Sequence, residues 1–290
     1  MNRALHDAIA APEGWSALDP LSDRLRHTVH QVRPEKGRDL LYGVPFGHPL
    51  HPALVQIPLG CWVSAALLDL GPARRPAAVL VAAGTISALP AAVAGWVDWA
   101  ELSPRQRRTG LVHALGNSAG LLCYAASLRA RLTGRPMRGR LLGWAGLAVV
   151  SAAATIGGDL AHRQAAGANH TEAVPRLAPA EWTALGPVSD FPLDRPVRRM
   201  LDEVPVLVLR RADGFQVLAD RCAHLSGSLS EGELVPEGPG APADGCVRCP
   251  LHGSVFRLAD GAVVHGPATA DQPVFETRVL SDRLEVRAPR

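Results

Sequence analysis

Four apolar runs that contain no Asp, Glu, Lys or Arg dominate the middle of this 290-residue chain. They cover residues 53–68, 77–97, 111–128 and 141–158. An α-helix rises about 1.5 Å per residue, so crossing a hydrocarbon core of about 30 Å takes roughly 20 residues, with about 17 to 25 the usual range. The last three runs reach that range as they stand, and the first reaches it with its flanking residues. The sequence therefore predicts four membrane-crossing helices.

A soluble, alanine-rich bundle is the alternative interpretation of the same runs, because Ala and Gly are only weakly apolar. Each helix of such a bundle would carry a polar face that recurs every three or four residues. The four runs show no such face. Their small residues would instead let helices approach closely within lipid. We therefore expect an all-α four-helix transmembrane bundle.

Short connections would make consecutive helices antiparallel, so the starts of the first and third helices and the ends of the second and fourth would share one membrane face. Ionisable residues at membrane depth tend to mark function. The alternative is that these residues are polar groups that simply end each helix. We expect a cofactor-binding or metal site at this face, with haem as the first guess. The residues concerned are His48, His51, Asp98, His113, Asp159 and His162.

Three stretches of the apolar region resemble a family of small four-helix membrane domains of unknown function, DUF2231. They are HPLHPALVQIPLG at 48–60, GWVDW at 95–99 and GGDL at 157–160. The resemblance extends over roughly residues 40–165, and it implies an integral membrane domain without naming a reaction.

Before this region, residues 15–42 place Leu18, Leu21, Leu25 and Val29 at helical spacing. The pattern predicts an amphipathic helix that lies on the membrane surface.

The last third of the chain changes character, with short segments of alternating apolar and polar residues that are typical of strands. Asp-Gly pairs that begin at 213, 244 and 260 supply hairpin turns. The sequence therefore predicts an all-β domain. The predicted strands cover 204–211, 215–220, 246–249, 254–264, 274–280 and 283–288.

Two Cys/His pairs lie within the predicted all-β domain. Cys222 and His224 belong to CAHL, and Cys249 and His252 belong to CPLHGSVF. The chain has five cysteines, an odd number, and three of them lie near histidines, which does not suggest a disulfide framework. Two thiolates and two imidazoles could meet at one metal centre, and the spacing alone also fits zinc.

Together with HGPA at 265–268, these motifs strongly resemble the Rieske [2Fe-2S] domain over about residues 181–290. The resemblance implies that Cys222 and Cys249 hold one iron and that His224 and His252 hold the other. Mixed ligation of this kind raises the reduction potential relative to a four-Cys cluster. The resemblance further implies that Gly253 allows a close backbone approach to the cluster and that Pro267 belongs to a covering proline loop.

Several positions depart from the respiratory members of the family. Cys246 forms a CxxC with Cys249, but the family's ligand is the Cys before the Pro, so Cys246 is expected to pack as a small hydrophobe. Gly227 and Leu251 stand where those members have a disulfide.

Ser254 keeps a hydroxyl that in the respiratory members bonds a bridging sulfide, whereas Phe256 replaces a Tyr that bonds a ligand sulfur. Fewer hydrogen bonds to sulfur should lower the potential. The site therefore resembles the ferredoxin-like and oxygenase-type members more.

These features predict an N-terminal amphipathic arm over 1–47, a four-helix transmembrane domain over 48–162, a linker over 163–180 and a Rieske domain over 181–290. The net charge of +3 is too small to favour nucleic acid as a partner. The basic residues that flank the helices are balanced between the two faces, so the positive-inside rule gives no orientation. Because no twin arginine precedes the first apolar run, we expect both termini and the cluster on the cytoplasmic side.

The expected function is that of a membrane-anchored carrier, which passes single electrons from a soluble, ferredoxin reductase-like donor to an unidentified acceptor in or near the membrane. A membrane-tethered redox or iron–sulfur sensor is the alternative. A stand-alone oxygenase would need a mononuclear iron held by two His and a carboxylate. Since only His265 follows His252 as a further histidine, we expect an electron-transfer component rather than such an oxygenase.

Overall fold

The computed structural model describes residues 3–31, 35–236, 238 and 245–288. The chain divides into two compact units. The helical unit comprises residues 1–34 and 49–167, and the β unit comprises residues 35–48 and 168–290.

The helices follow one another closely along the chain. In chain order they are α1 Arg3–Ala10, α2 Asp19–His30, α3 Glu35–Tyr42, α4 Leu50–Leu54, α5 Gln56–Leu68, α6 Arg74–Ala100, α7 Pro104–Leu132, α8 Pro136–His162 and α9 Val174–Leu177. Helices α4 and α5 together form one apolar stretch over Leu50–Leu68. Helix α7 begins at Pro104 and is preceded by a capping box. The Ser103 side chain contacts the backbone N–H of Gln106, and the Gln106 side chain accepts a hydrogen bond from the backbone N–H of Ser103.

The prediction of four membrane-crossing helices is confirmed by length and composition. Within the described residues, four stretches qualify as candidate spans: Leu50–Leu68, α6, α7 and α8. Their outward faces are apolar, which a soluble bundle would not tolerate over so large an area. Exposed apolar side chains occur on every span, among them Leu67, Val79, Ile86, Leu115, Leu122 and Leu141.

The interior of the helical unit contains a stacked aromatic pair and, near the ends of two helices, a buried ion pair. The rings of Trp62 and Tyr124 are nearly parallel, with centroids 4.1 Å apart. At the other end of α5 and α7, the Arg131 guanidinium donates to both carboxylate oxygens of Asp69, at 2.9 and 2.5 Å. Both side chains of this pair are almost fully buried. A two-pronged geometry of this kind makes a charged pair tolerable away from water.

The N-terminal arm contains a helix over the predicted apolar positions, and part of that helix packs within the helical unit. Helix α2 ends at His30, residues 32–34 lie outside the described part of the chain, and α3 belongs to the β unit. Leu18, Leu25 and Val29 pack against a buried cluster of Trp99, Ala100 and Leu111. Three of the four predicted apolar residues therefore cover the ends of α6 and α7, while Leu21 is exposed.

The β unit consists of short strands, as predicted. They are β1 Thr183–Pro187, β2 Val197–Leu201, β3 Val204–Arg211, β4 Gly214–Ala219, β5 Glu233–Val235, β6 Cys246–Arg248, β7 Val255–Arg257, β8 Val263–His265, β9 Glu276–Leu280 and β10 Arg283–Arg287. The antiparallel strand orders are β1-β10-β9, β2-β3-β4 and β5-β6-β7-β8.

Two of the predicted Asp-Gly turns connect neighbouring strands. Asp213 lies between β3 and β4, and Asp260 lies between β7 and β8, which together replace the single strand predicted over 254–264. The third pair begins at Asp244, outside the described residues. Strands β1, β2 and β5 were not predicted.

The β unit buries two main apolar clusters. One is built around Phe191, Leu201 and Val206. The other contains Leu218, Leu229 and Phe256 together with Cys222 and Cys249. The two cysteines of the metal motif are therefore part of the apolar core, so their sulfur atoms face a low-dielectric interior rather than water.

Candidate metal centre

Two loops with the same backbone turn carry the predicted ligands. In the first, the N–H of Cys222 donates to the carbonyl of Gly227 at 2.8 Å, and the N–H of Ser226 donates to the carbonyl of Cys222 at 2.9 Å. In the second, Cys249 donates to Ser254 at 2.8 Å, and Gly253 donates to Cys249 at 3.0 Å. Each loop therefore folds back over its own cysteine.

Each turn contains one residue with a left-handed backbone conformation, four residues after its ligand cysteine. Ser226 has φ +59° and Gly253 has φ +79°. Glycine adopts this conformation without cost, whereas the serine requires surrounding structure to hold it. The predicted need for glycine at position 253 thus has a backbone reason.

The two thiols meet between the loops. Cys222 and Cys249 are hydrogen-bonded to each other, and both are buried. The hydrogen bond from Cys222 and the backbone N–H groups of Leu251 and His252 lower the pKa of Cys249 to about 6. The hydrogen bond to Cys249 and burial raise the pKa of Cys222. Backbone N–H groups aimed at sulfur favour the thiolate, which is the form that binds metal.

The two imidazoles also meet. The ring centroids of His224 and His252 lie 5.0 Å apart, with the rings nearly perpendicular. Burial, His252 and His170 together lower the pKa of His224 to about 3, so this ring is neutral and available as a ligand. Its Nδ1 atom is buried and has no hydrogen-bond partner among the described residues.

These observations fit a mixed two-metal group. Two imidazoles on one tetrahedral metal, with metal–nitrogen bonds of about 2.0–2.1 Å, place their ring centroids about 5 Å apart. A thiol pair beside an imidazole pair suits two metals that each take two protein ligands, which is the arrangement that the Rieske resemblance implies.

The positions of the missing disulfide lie side by side. A Cβ atom added to Gly227 would lie 3.0 Å from the Cβ of Leu251 and 2.9 Å from the Sγ of Cys249. Gly227 thus lets the first loop approach the second ligand cysteine closely.

The predicted neighbours of the cluster line the same region. The hydroxyl of Ser254 is buried and accepts a hydrogen bond from the N–H of Ala268 at 2.9 Å, which joins the second loop to the segment that carries Pro267. Pro267 and Phe256 are buried. Phe256 lies in the same apolar cluster as Cys222 and Cys249.

Cys246 lies on β6 and packs in a separate small cluster with Val235 and Val255. It is fully buried. This environment matches the expectation that Cys246 is a small hydrophobe.

Gln272 is a supporting residue that the motif did not reveal. Its side-chain amide donates to the carbonyls of Ala219 and Arg221 at 2.8 and 2.5 Å, and its carbonyl oxygen accepts from the N–H of Ala223 at 3.1 Å. These three bonds hold the start of the first ligand loop. Their partners are far from Gln272 in sequence, so no local signal indicates the role.

A second supporting contact comes from the segment before the transmembrane helices. Asp39 on α3 accepts from the N–H of Gly266 at 3.0 Å and pairs with Nδ1 of His265 at 2.8 Å. A Cβ atom on Gly266 would clash with the ring of Tyr42, which also lies on α3. Helix α3 therefore packs on the proline loop of the β unit.

Of the six residues predicted at the membrane face, the structure brings two histidines together. The rings of His51 and His113 have centroids 6.3 Å apart, at an interplanar angle of 88°. Asp159 instead forms hydrogen bonds with Arg163 and Gln164. His162 is exposed.

The other two predicted residues lie elsewhere. Asp98 is half-buried on α6, with Glu101 close enough to interact electrostatically. His48 is exposed and belongs to the β unit.

Comparisons with known families match both regions. The Rieske [2Fe-2S] domain family matches residues 181–276. A family described as a predicted membrane protein, DUF2231, matches residues 47–170.

Individual relatives match the C-terminal region. The anthranilate 1,2-dioxygenase ferredoxin subunit of Burkholderia cepacia is 34% identical over 107 residues, which is 37% of this chain and 92% of that protein. The 3-phenylpropionate/cinnamic acid dioxygenase ferredoxin subunit of Escherichia coli strain K12 is 38% identical over 104 residues, which is 36% of this chain and 90% of that protein.

A solved structure of the ferredoxin of carbazole 1,9a-dioxygenase from Nocardioides aromaticivorans IC177 is 20% identical. It covers 38% of this chain and 98% of its own, with a TM-score of 0.33.

Proposed function

Because the chain belongs to the Rieske [2Fe-2S] family through its C-terminal domain and carries an N-terminal DUF2231 membrane domain, we propose that it is a membrane-anchored one-electron carrier. The β unit is a Rieske ferredoxin-like electron-transfer domain, homologous to dioxygenase ferredoxin subunits, and the family implies a [2Fe-2S] cluster. The proposal adds the membrane tether, the direction of transfer and the ligand residues.

The paired thiols and paired imidazoles are the observation that carries the proposal. Cys222 and Cys249 would hold one iron, and His224 and His252 would hold the other. When bound, the cluster supplies one-electron redox chemistry with a potential that its ligands and hydrogen bonds set. The protein contributes a dry site, two opposed backbone turns and N–H groups aimed at the ligand sulfurs.

Two residues around the site affect its reduction potential in opposite directions. Ser254 accepts from Ala268, so its own hydroxyl hydrogen is available to a sulfide. Phe256 offers no hydrogen bond, and burial of this ring keeps water from the ligand sulfurs. We therefore place the potential toward the lower part of the mixed-ligand range of roughly −150 to +300 mV.

The second ligand loop is the proposed route by which an electron enters and leaves the cluster. His252 is only partly buried and its neighbour Leu251 is 53% exposed, whereas His224 is 9% exposed. An apolar, exposed residue beside a partly exposed ligand suits brief contact with a redox partner. Leu251 and His252 are therefore the proposed contact surface for both donor and acceptor.

A soluble, ferredoxin reductase-like flavoprotein is the proposed donor, and a membrane-associated protein is the proposed acceptor. The relatives that the domain matches are named as ferredoxin subunits of dioxygenases, so a separate protein is expected to deliver the electron. Support for a membrane-associated acceptor comes from the four candidate spans that follow α3. A tether keeps the carrier near such an acceptor at high effective concentration.

We place the β unit on the cytoplasmic side. A soluble NAD(P)H-linked reductase, the kind of donor proposed above, could reach the cluster on that side. A reporter that is active only in the cytoplasm should work when fused to the C-terminus and fail when inserted at Gly134, between α7 and α8. The reverse pattern would contradict the placement.

Transfer of electrons to the membrane is the test of the carrier function. Full-length protein in lipid nanodiscs is reduced anaerobically with NADPH and a ferredoxin reductase, and the cluster is followed by EPR. Membranes from cells that lack the protein are then added. The carrier function predicts rapid reoxidation that heat-treated membranes do not support. A cluster that stays reduced with both preparations would contradict the carrier function and favour a sensor.

A further inference from the structure

The helical unit contains two copies of one helix pair, separated by a constant offset of 62 residues. The segment from α4 to α6 is the first copy, and α7 with α8 is the second. No gap is needed between the copies, which differ at most positions. Residues that are identical at this offset include His51 and His113, Cys61 and Cys123, Gly84 and Gly146, Ala91 and Ala153, and Gly95 and Gly157.

The two copies share side-chain contacts as well as residue types. Nδ1 of His51 lies 2.7 Å from the carbonyl oxygen of Ala91, and Nδ1 of His113 lies 2.8 Å from that of Ala153. A Cβ atom on Gly95 would lie 2.8 Å from the His51 ring. The equivalent Gly157 stands in the same relation to His113, at 2.6 Å. In both copies a glycine thus makes room for the ring and a backbone carbonyl orients it.

Equivalent residues also meet each other between the copies. His51 faces His113, Trp62 stacks on Tyr124, and Asp69 pairs with Arg131. Each of these pairs joins a residue to its own counterpart, which happens only along a two-fold axis. Parallel repeats related by such an axis are a known plan for membrane proteins. His51 and His113 therefore lie on the axis because the architecture brings them there.

The carbonyl contacts fix the tautomer of both rings. A carbonyl oxygen can only accept a hydrogen bond, so Nδ1 must carry the hydrogen in each ring. The lone pair is then on Nε2. Histidines that bind metals are oriented in this way, with one ring nitrogen donating to a backbone carbonyl or carboxylate and the other on the metal.

We infer that His51 and His113 bind one transition metal through their Nε2 atoms, either as an ion or as the iron of a haem. Two imidazoles on opposite sides of one metal, at about 2.0–2.1 Å, place their centroids about 6 Å apart. The observed separation is 6.3 Å. Imidazole nitrogens select copper, zinc, iron or nickel over the hard ions magnesium and calcium.

Asn117 is the residue that breaks the symmetry of this site. Its amide nitrogen lies 3.1 Å from Nε2 of His113 and 3.0 Å from the His113 carbonyl oxygen. The first copy has Val55 at the equivalent place. When Nε2 of His113 binds a metal, the amide keeps its bond to the carbonyl. Asn117 is therefore a substitute partner for the metal-free ring rather than a ligand.

The test uses full-length, cluster-loaded protein in detergent. Its metal content is measured as purified, and haem is measured separately as a pyridine haemochrome. The protein is then titrated with Ni²⁺, which accepts two imidazoles on opposite sides, and in a second arm with hemin. The inference predicts one additional metal or one haem per chain beyond the two irons of the cluster. A chain that binds neither Ni²⁺ nor hemin stoichiometrically would overturn it.

Matched variants assign the binding to the pair. His51→Asn and His113→Asn keep a donor near the position of Nδ1 but lack Nε2, so the helix contact persists while affinity falls at least 100-fold. His162→Ala, at an exposed helix end, should leave binding unchanged, whereas Asn117→Val, which copies the first repeat, removes the competing partner of Nε2 and should not weaken binding. Binding that survives both Asn variants, or that is lost in His162→Ala, would contradict the assignment. The cluster's EPR signal should be the same in all four variants, so a failure of this inference is separable from a failure of the carrier function.

Discussion

The β unit and the helical unit both bring together residues of the same type from two similar segments. The segments are short turns in the β unit and long helix pairs in the helical unit. In the β unit the pieces are two short turns that share a hydrogen-bond pattern around Cys222 and Cys249. In the helical unit they are two long helix pairs at an offset of 62 residues, which join His51 to His113. The ligands of a short turn lie within a few adjacent residues, so a local motif identifies them. The paired residues of a repeated helix pair are far apart in the sequence and can be identified only from their constant spacing.

The two regions also differ in what holds the paired groups. Backbone hydrogen bonds and Gln272 fix the loops of the β unit, so the ligands are oriented before metal arrives. In the helical unit, glycines let the rings pack closely, and single carbonyl contacts orient them. The first site is rigid through its backbone, and the second depends on the packing of helices.

The largest expected effect concerns the ligands of the β unit. Cys222→Ser and His224→Ala should each remove the cluster completely, because each takes one of two protein ligands from an iron. Iron content and the EPR signal of the reduced full-length protein measure the loss. Cys246→Ser, in the separate cluster with Val235, is the matched control and should retain both irons. Loss of the cluster in Cys246→Ser together with its retention in Cys222→Ser would reverse the ligand assignment.

Next in size is the ion pair on the axis of the helical unit. Asp69→Asn leaves Arg131 buried without its counter-charge, so the helical unit should lose about 3–5 kcal/mol of stability. Unfolding of the full-length protein in mixed detergent micelles, followed by far-UV circular dichroism, measures the change. Replacing both residues by Leu should recover most of the loss. If Asp69→Asn did not change the stability, this ion pair would not stabilise the helical unit.

Helix α3 gives a smaller effect in the β unit. Asp39→Ala removes the acceptor for Gly266 and the partner of His265, and should cost about 1–2 kcal/mol. Loss of the cluster's visible circular dichroism during urea unfolding of the full-length protein measures the stability of the β unit. Glu233→Ala, which breaks only the exposed pair with Arg248, is the control and should cost less than about 0.5 kcal/mol. Equal effects of the two substitutions would mean that α3 does not support the proline loop.

The smallest effect concerns the potential. Phe256→Tyr adds a hydroxyl next to the ligand sulfurs and should raise the midpoint by tens of millivolts, since about 59 mV corresponds to a tenfold change in a one-electron equilibrium. Phe256→Leu adds no donor and is the control. Protein-film voltammetry compares the two. An unchanged midpoint in Phe256→Tyr would remove the hydrogen-bond explanation of the low potential.

The sequence predicted the features whose signal is local. Uncharged runs of sufficient length gave the four candidate spans, and the Rieske motif gave the residues that meet in the β unit. Strands β1, β2 and β5 escaped prediction because segments such as TALGP, VRRML and ELV are short or lack alternation.

Long-range contacts could not be predicted in the same way. Asp39 and His265 pair although the whole transmembrane region separates them in the sequence. Gln272 likewise bonds to the first ligand loop, far from it in the sequence. At the membrane face, the rotation of each helix decides which polar residues turn inward. Of the six residues predicted there, the structure brings His51 and His113 together, and the constant offset of 62 residues was the signal that could have identified this pair.

The most direct test of the central claim is a measurement of nitrogen coupling to the reduced cluster in the full-length protein. Labelling histidine with ¹⁵N and recording electron–nuclear double resonance reports whether imidazole nitrogens bind the iron. The account predicts strong couplings from two histidine nitrogens on one iron, with the low average g value of a mixed His/Cys cluster. A protein that contains zinc in place of iron, or a reduced cluster without strong histidine coupling, would contradict it.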